Sequence, residues 1–386
     1  MSKKILSVVS YIMVALLSAT IAICAMILLG GTTIGQSKLE AAEQLILDRF
    51  IGSADKTKLE DAAIEAMLSA TGDRWSYYIS AEEAAAHREQ KDNSYVGIGV
   101  AASQRQDGNG LKVVSVMAGG GAQQVGMLAG DIIVAVDGRS IAGMAAETIR
   151  GMVRGDENTV VEITVVRDGA EQKFSITRKR IQVPVATAQL LEGNIGLVTI
   201  ANFNNNSAAQ TIAAIEQLRE EGAQKLIFDV RYNPGGSVSE LVDMLDYLLP
   251  EGIRVFTAVD YKGTRTEQIS DANYLDMPMA VVVNSSSYSA AEYFAAALRE
   301  SDAAVVVGEQ TTGKGYYQAI YRLSDGSAIA LYIGKYYTHN GVSLEGVGLV
   351  PDVLKAVDGK TAAAIRAGTL NPMEDPQILA AIEALK

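Results

Sequence analysis

Four serines stand on the short bridge between an apolar run and an alanine-rich helix in VVVNSSSYSAAEYFAAAL, residues 281–298. One hydroxyl is enough to cap a helix, so the surplus raises the question of a nucleophile. The chain holds only two histidines, His87 and His339, among 386 residues, and a serine enzyme here needs another base. Lysine serves when burial lowers its pKa toward neutrality, and serine–lysine pairs are a recognised form of the serine nucleophile. Lys314 stands between two glycines in VVVGEQTTGKGYYQ, and a third loop, DVRYNPGGSVSE, joins a strand to a helix through Pro234, Gly235 and Gly236. Glycines allow amide N–H groups to face a ligand, and a helix start favours negative charge through its unpaired N–H groups and dipole. Residue types alone leave two bland readings standing beside this one: a strand-end lysine as a solvated charge, and a helix-head serine as a cap.

These loops need strands and helices to hold them. The runs KLIFDV, MAVVV and AAVVVG are short, fully apolar and bounded by loops. The first two are followed by helical patterns, SVSELVDMLDYLL and AAEYFAAALRE, which predicts an α/β core with buried strands. Ligand sites in such sheets form where strands end and loops gather. Residues 94–180 have a different texture, with β-branched runs separated by glycine, and predict a compact β-rich module. Residues 37–91 read as helical, as does the tail from Thr361, with a break at LNPMEDP. Trp75, Tyr77 and Tyr78 read as a packing corner.

After Lys3 and Lys4 no residue from Ile5 to Gly35 is charged. That stretch exceeds the about 20 apolar residues a spanning helix needs, whereas a signal-peptide core runs about 7–15. The two lysines place the N-terminus inside. The expectation is a single-pass membrane anchor with the rest of the chain extracytoplasmic; a cleaved signal is the alternative. A net charge of −12 without a basic cluster argues against a nucleic-acid partner. One cysteine, Cys24, excludes an intrachain disulfide framework. No metal site and no cofactor is expected.

The three loops together resemble those of the carboxyl-terminal processing peptidases, serine–lysine endopeptidases with an inserted PDZ domain. The family's N-x-G-S-A-S-A-S-E stretch appears as NSSSYSAAE, its V-G-x-x-T-x-G-K-G-x-x-Q as VGEQTTGKGYYQ, and its D-x-R-x-N-P-G-G as DVRYNPGG. Anchored on Asn284 and Glu292, the resemblance implies Ser289 as nucleophile, Lys314 as base and Gln318 as the residue that orients it. Gly235 or Gly236, with the amide of Ala290, would line the oxyanion hole. Ser285, Ser286 and Ser287 would shape the turn, and Glu292 would cap the helix without a catalytic role. Ser286 departs from the usual glycine, Tyr288 from a small residue, Thr312 from a bulky one and His339 from a proline. Tyr288, beside the nucleophile, would narrow the pocket or regulate it.

The β-rich module resembles a PDZ domain. Gly97, Ile98, Gly99 and Val100 match the loop whose amides bind a terminal carboxylate, and GMLAGDIIVAVDG matches the stretch before and through a core strand. Arg154 would neutralise the carboxylate or couple the module to the core; Asn158 replaces a usual glycine nearby. The implied architecture is multidomain α+β: an anchor at 1–34, a helical region at 35–91, the PDZ domain at 92–180, an α/β crotonase-like serine protease core at 181–360 and a helical tail at 361–386. Partners would be protein or peptide substrates with free C-termini, with a homodimer through the N-terminal helices compatible with the pattern. Two other functions are a catalytically silent peptide-binding scaffold and crotonase-like acyl chemistry.

Overall fold

Residues 11–21, 37–105, 107–271 and 274–386 are described by a computed structural model, which divides into two units, Met1–Ser80 and Ala81–Lys386. The expected anchor at 1–34 lies mostly outside the described residues; 11–21 are helical and exposed. Among the described residues no helix is long and apolar enough to cross a membrane.

In the first unit, helix α1 (Lys38–Arg49) starts at a reciprocal cap: Ser37 Oγ accepts from the Glu40 N–H, and Glu40 accepts from the Ser37 N–H. Helix α2 (Lys56–Ala70) is capped by Asp55, and Lys56 bridges Glu43 and Glu60 to join the two helices. No residue of α1 is buried. Strand β1 (Tyr77–Ile79) is tied to α2 by the Tyr78 hydroxyl, which donates to Asp61 at 2.7 Å. Tyr77 is 40% exposed, so the aromatic corner packs only in part.

The second unit begins with helix α3 (Ala84–Lys91) and strand β2 (Ser94–Gly97). The β-rich module follows: β3 (Val100–Gln104), β4 (Leu111–Val116), the short helix α4 (Gly121–Gln124), β5 (Ile132–Val136), β6 (Arg139–Ser140), helix α5 (Ala146–Val153), β7 (Val160–Arg167) and β8 (Ala170–Thr177). Its sheet runs β3-β4-β5-β7-β8, with β6 beside β5, so β3 is an edge strand. Inward positions Val113, Ile133, Val136, Ile149, Val161, Ile163, Val165 and Ile176 build its core. Strand β9 (Lys179–Gln182) pairs antiparallel with β2, closing the chain's entry and exit into one neck. Asn158 adopts φ 68°, a left-handed conformation that asparagine tolerates.

The core sheet is built from β10 (Ala186–Leu191), β11 (Ile195–Ile200), β12 (Lys225–Asp229), β15 (Met279–Val283), β16 (Ala304–Gly308) and β19 (Val353–Leu354) in that order; β10 is antiparallel and the rest parallel. The apolar runs read from the sequence are these strands. Val281 and Val283 face one cluster while Ala280 and Val282 face another, so β15 is buried on both sides, as a continuous apolar run requires. Helices α6 (Ser207–Glu220), α7 (Val238–Leu248) and α8 (Ala290–Glu300) cover the first face. After α9 (Gly359–Arg366), helix α10 (Pro376–Ala384) covers the second through Ile378 and Ala381.

A feature the sequence reading lacks is a set of antiparallel strands beside this sheet: β13 (Arg254–Asp260), β14 (Arg265–Ile269), β17 (Tyr316–Arg322) and β18 (Ala328–Tyr337). Helix α8 lies between them and the parallel sheet. Phe294 meets Phe228 edge-on at 5.4 Å and Phe203 at 5.5 Å, while Tyr293 packs on Tyr336 and donates to its carbonyl. Every residue from Ala290 to Leu298 is buried. Alanines at 290, 291, 295, 296 and 297 give the helix the slimness that contact on all sides demands.

Candidate active site

Strand β15 delivers Asn284 and the serine bridge, and strand β12 delivers Arg231 to Gly236. Asn284 Oδ1 accepts from the Tyr232 and Ser286 N–H groups, joining the two loops. Ser287 is fully buried; its hydroxyl donates to the Val230 carbonyl at 2.8 Å and accepts from the Asn284 N–H. Ser287 therefore holds the turn. Ser289 is half-buried and occupies φ 59°, ψ −125° at the head of α8. A side-chain-bearing residue held there costs of order 1–3 kcal/mol, and strain of this sort clusters at functional sites.

Gly235 closes the contact from the other loop. A Cβ there, at φ 78°, would lie 2.7 Å from Ala290 N and 2.8 Å from Ser289 Cβ, so only glycine permits the approach. Its own N–H donates to Asn233 Oδ1 at 2.8 Å, and its carbonyl accepts from Phe203 N–H. The neighbouring Gly236 forms a parallel bridge with Phe203. Among the described residues, the N–H groups of Gly236 and Ala290 donate to no protein acceptor.

The residue that assembles the centre is Glu292, which the sequence reading treated only as a cap. Its carboxylate is fully buried. Oε2 accepts from the N–H groups of Ser289 and Lys314, each at 2.8 Å. Oε1 accepts from the Gly313 N–H at 2.8 Å and from the Thr311 hydroxyl. The backbone nitrogens of Ser289 and Lys314 can thus be no further apart than twice that length. Burial pushes the Glu292 carboxyl above its ordinary range, against the pull of its donors from Thr311, Lys314, Gly313 and Ser289. The signal was present in the sequence as the S-x-x-E spacing of a capping box; its reach into the lysine loop was not.

Lys314 is half-buried, and its Nζ donates to Gln318 Oε1 at 3.4 Å. Gln318 sits on β17 at a register irregularity against β18, and such bulges re-aim a side chain. The Nζ also lies 5.8 Å from the Tyr288 ring centroid and 5.9 Å from that of Tyr332. Thr312 ties this loop to the serine bridge: its N–H donates to Ser287 O and its hydroxyl to Ser285 O. His339 lies in a turn, where its Nδ1 is 2.8 Å from the Arg254 carbonyl.

Beneath the glycine loop is a second cluster absent from the sequence reading. Arg231 donates to Asp229, to Asp375 at 2.7 Å and to Gln377 at 2.9 Å. Burial disfavours its charge, yet the two carboxylates hold its pKa above the ordinary arginine value. The last helix is thereby fixed to the loop that carries Gly235.

The β-rich module has its own groove of about 240 Å³, between edge strand β3 and helix α5. Gly97, Ile98, Gly99, Val100 and Arg154 all line it, with Ile133 and Ile149 at its base. Gly99 adopts φ 80° and its Cα region meets Gly120, where a Cβ would approach to 2.9 Å. Among the described residues the Ile98 and Gly99 N–H groups donate to no protein acceptor. Arg154 stacks 5.3 Å from the Tyr95 ring centroid and pairs with Glu89 of α3 at 3.2 Å. Buried Arg178 donates to the carbonyls of Met152, Val153 and Val160, fastening the end of α5.

Residues 194–354 match the model of peptidase family S41, and residues 112–167 match a PDZ domain model. The chain is 32% identical over 322 residues to a "Probable CtpA-like serine protease" of Staphylococcus aureus (strain COL), covering 82% of this chain and 64% of that protein. A relative of the same description from Staphylococcus haemolyticus is 31% identical over 320 residues, with the same coverage. The chain thus spans about 64% of the length of these curated relatives. Among solved structures, a photosystem II D1 C-terminal processing protease is 28% identical, with 83% of this chain and 87% of that one covered and a TM-score of 0.48.

Proposed function

We propose that this chain, a member of peptidase family S41 with an inserted PDZ domain, is a serine endopeptidase that cuts extracytoplasmic proteins near their C-termini. The observation that carries the reading is the single Glu292 oxygen shared by the Ser289 and Lys314 N–H groups. It supports a nucleophile and a base held to one frame. Neutral Lys314 takes the Ser289 hydroxyl proton as the oxygen attacks the peptide carbonyl, and Gln318 orients the amine. The resulting ammonium returns a proton to the leaving amine, and water then hydrolyses the acyl-enzyme by the same route. The Gly236 and Ala290 N–H groups stabilise the oxyanion; Gly235, whose N–H is taken by Asn233, supplies the close approach.

The groove between β3 and α5 captures the substrate's end. An extended peptide adds to the β3 edge, and its carboxylate meets the Ile98 and Gly99 N–H groups with Arg154 alongside. The reading is tested by incubating the purified protein with an unstructured protein and sequencing the fragments, where internal cuts clustered toward the C-terminus are expected and no cleavage overturns it. Amidating the C-terminus of a peptide substrate is expected to weaken binding about tenfold or more, the equivalent of a charged hydrogen bond of roughly 1.5–3 kcal/mol. Arg154→Ala is expected to weaken free-acid binding and leave amidated binding unchanged. Equal affinity for free-acid and amidated peptides would exclude carboxylate capture.

The apolar stretch Ile5–Gly35 supports a single-pass anchor in the cell membrane, with the catalytic part outside. The protein is expected in the membrane fraction with Met1 or Ser2 as its N-terminus, and a mature form beginning shortly after Ala25 would replace the anchor by a cleaved signal. Exposed Leu45, Phe50 and Ile51 at the end of α1 support a homodimer through the N-terminal helices.

A further inference from the structure

Tyr288 stands immediately before Ser289, and its backbone is fixed on both sides. Its N–H donates to Asn233 O at 3.1 Å, and its carbonyl accepts from Ala291 N–H and abuts Gly235. The Tyr288 ring lies 5.8 Å from Lys314 Nζ, and Tyr332 on β18 presents a second ring at 5.9 Å. An aromatic face attracts an ammonium through its quadrupole and has no comparable attraction for the neutral amine. Gln318 Oε1, accepting from Nζ, acts in the same direction.

We infer that the rings of Tyr288 and Tyr332 hold Lys314 as an ammonium in the resting centre, so that Tyr288 is a positioning residue that sets the pH at which proteolysis begins. This rests on the reading of Lys314 as the base, since only the neutral amine takes the Ser289 proton. Other ionisable groups surround the lysine loop. Glu292 spends its oxygens on four donors, including the Lys314 backbone N–H. Glu345 accepts from the Gly315 N–H. Lys335 lies over the Tyr316 ring, which itself packs edge-on against Tyr332.

The test is the pH dependence of kcat/KM for the purified full chain in detergent, with a quenched-fluorescence peptide as substrate. Activity is expected to rise with pH through a single limb. Tyr288→Leu is expected to move the midpoint of that limb down by roughly half a unit, making the variant about threefold more active than the parent on the acid side. Tyr332→Leu is expected to move it the same way, and the double variant by roughly one unit. Tyr288→Phe keeps the ring and is expected to keep the parent midpoint. An unmoved midpoint in folded Tyr288→Leu and Tyr332→Leu overturns the inference, as does a Phe variant that shifts like Leu. A change in KM alone would make Tyr288 a pocket wall. The underlying reading fails separately: an active Lys314→Arg enzyme, or no limb in the parent, removes lysine as base and this inference with it.

Discussion

Ser289→Ala and Lys314→Ala are each expected to lower turnover of an unstructured protein by roughly 10⁴–10⁶-fold while leaving the melting temperature within a few degrees. In the proposed mechanism the two side chains act on one proton, so the double variant is expected to be no worse than either single one. Lys314→Arg is expected to be equally inactive, because a guanidinium stays protonated and takes no proton. Ser287→Ala provides the contrast. Its hydroxyl is buried and bonded to both Val230 and Asn284, so the variant loses about 1–3 kcal/mol of stability and keeps its chemistry below its melting point. Turnover by Ser289→Ala, with none by folded Ser287→Ala, would reverse the assignment of the nucleophile.

Glu292→Gln is the second substitution with a large expected effect. A carboxylate accepts at both oxygens, whereas the amide keeps one oxygen and presents N–H groups where two backbone or hydroxyl donors already point. Leaving such donors unsatisfied in a buried site costs about 1–3 kcal/mol each. A loss of roughly 2–5 kcal/mol is therefore expected, read as a melting temperature lower by several degrees or more. The serine bridge and the lysine loop share this anchor, so on the proposed mechanism kcat is expected to fall much further than KM changes. An unaltered melting temperature and kcat would show that the loops are held together by other contacts.

How much of this was legible in the sequence depended on how local each feature is. The glycine loop, serine bridge and lysine loop are each a short stretch with a distinct composition. The apolar strands that carry them are equally plain, because a strand buried on both faces has no alternation to misread. The strands from Tyr316 to Tyr337 were missed for the opposite reason: YYQAIYR and AIALYIGKYY mix tyrosines with charges and alternate weakly, though Gln318 sits on the first of them. Glu292 was visible as a cap three residues after Ser289, but its second set of donors comes from residues 311–314. Asp375 lies 144 residues from Arg231, and no spacing rule joins an acidic residue to an arginine across that distance.

That long-range ion pair bears on when the glycine loop can settle during synthesis. A growing chain acquires Ser289, Lys314 and Gln318 well before residue 375 is made. Until then the Arg231 guanidinium lacks the Asp375 carboxylate and the Gln377 oxygen, and the parallel sheet lacks the helix that covers Ile227, Ala280 and Val282. A buried arginine that lacks one of its carboxylate partners carries incompletely compensated charge, which destabilises the packing around it. The glycine loop thus gains its full support last, once the segment bearing Asp375 and Gln377 has been made and has docked.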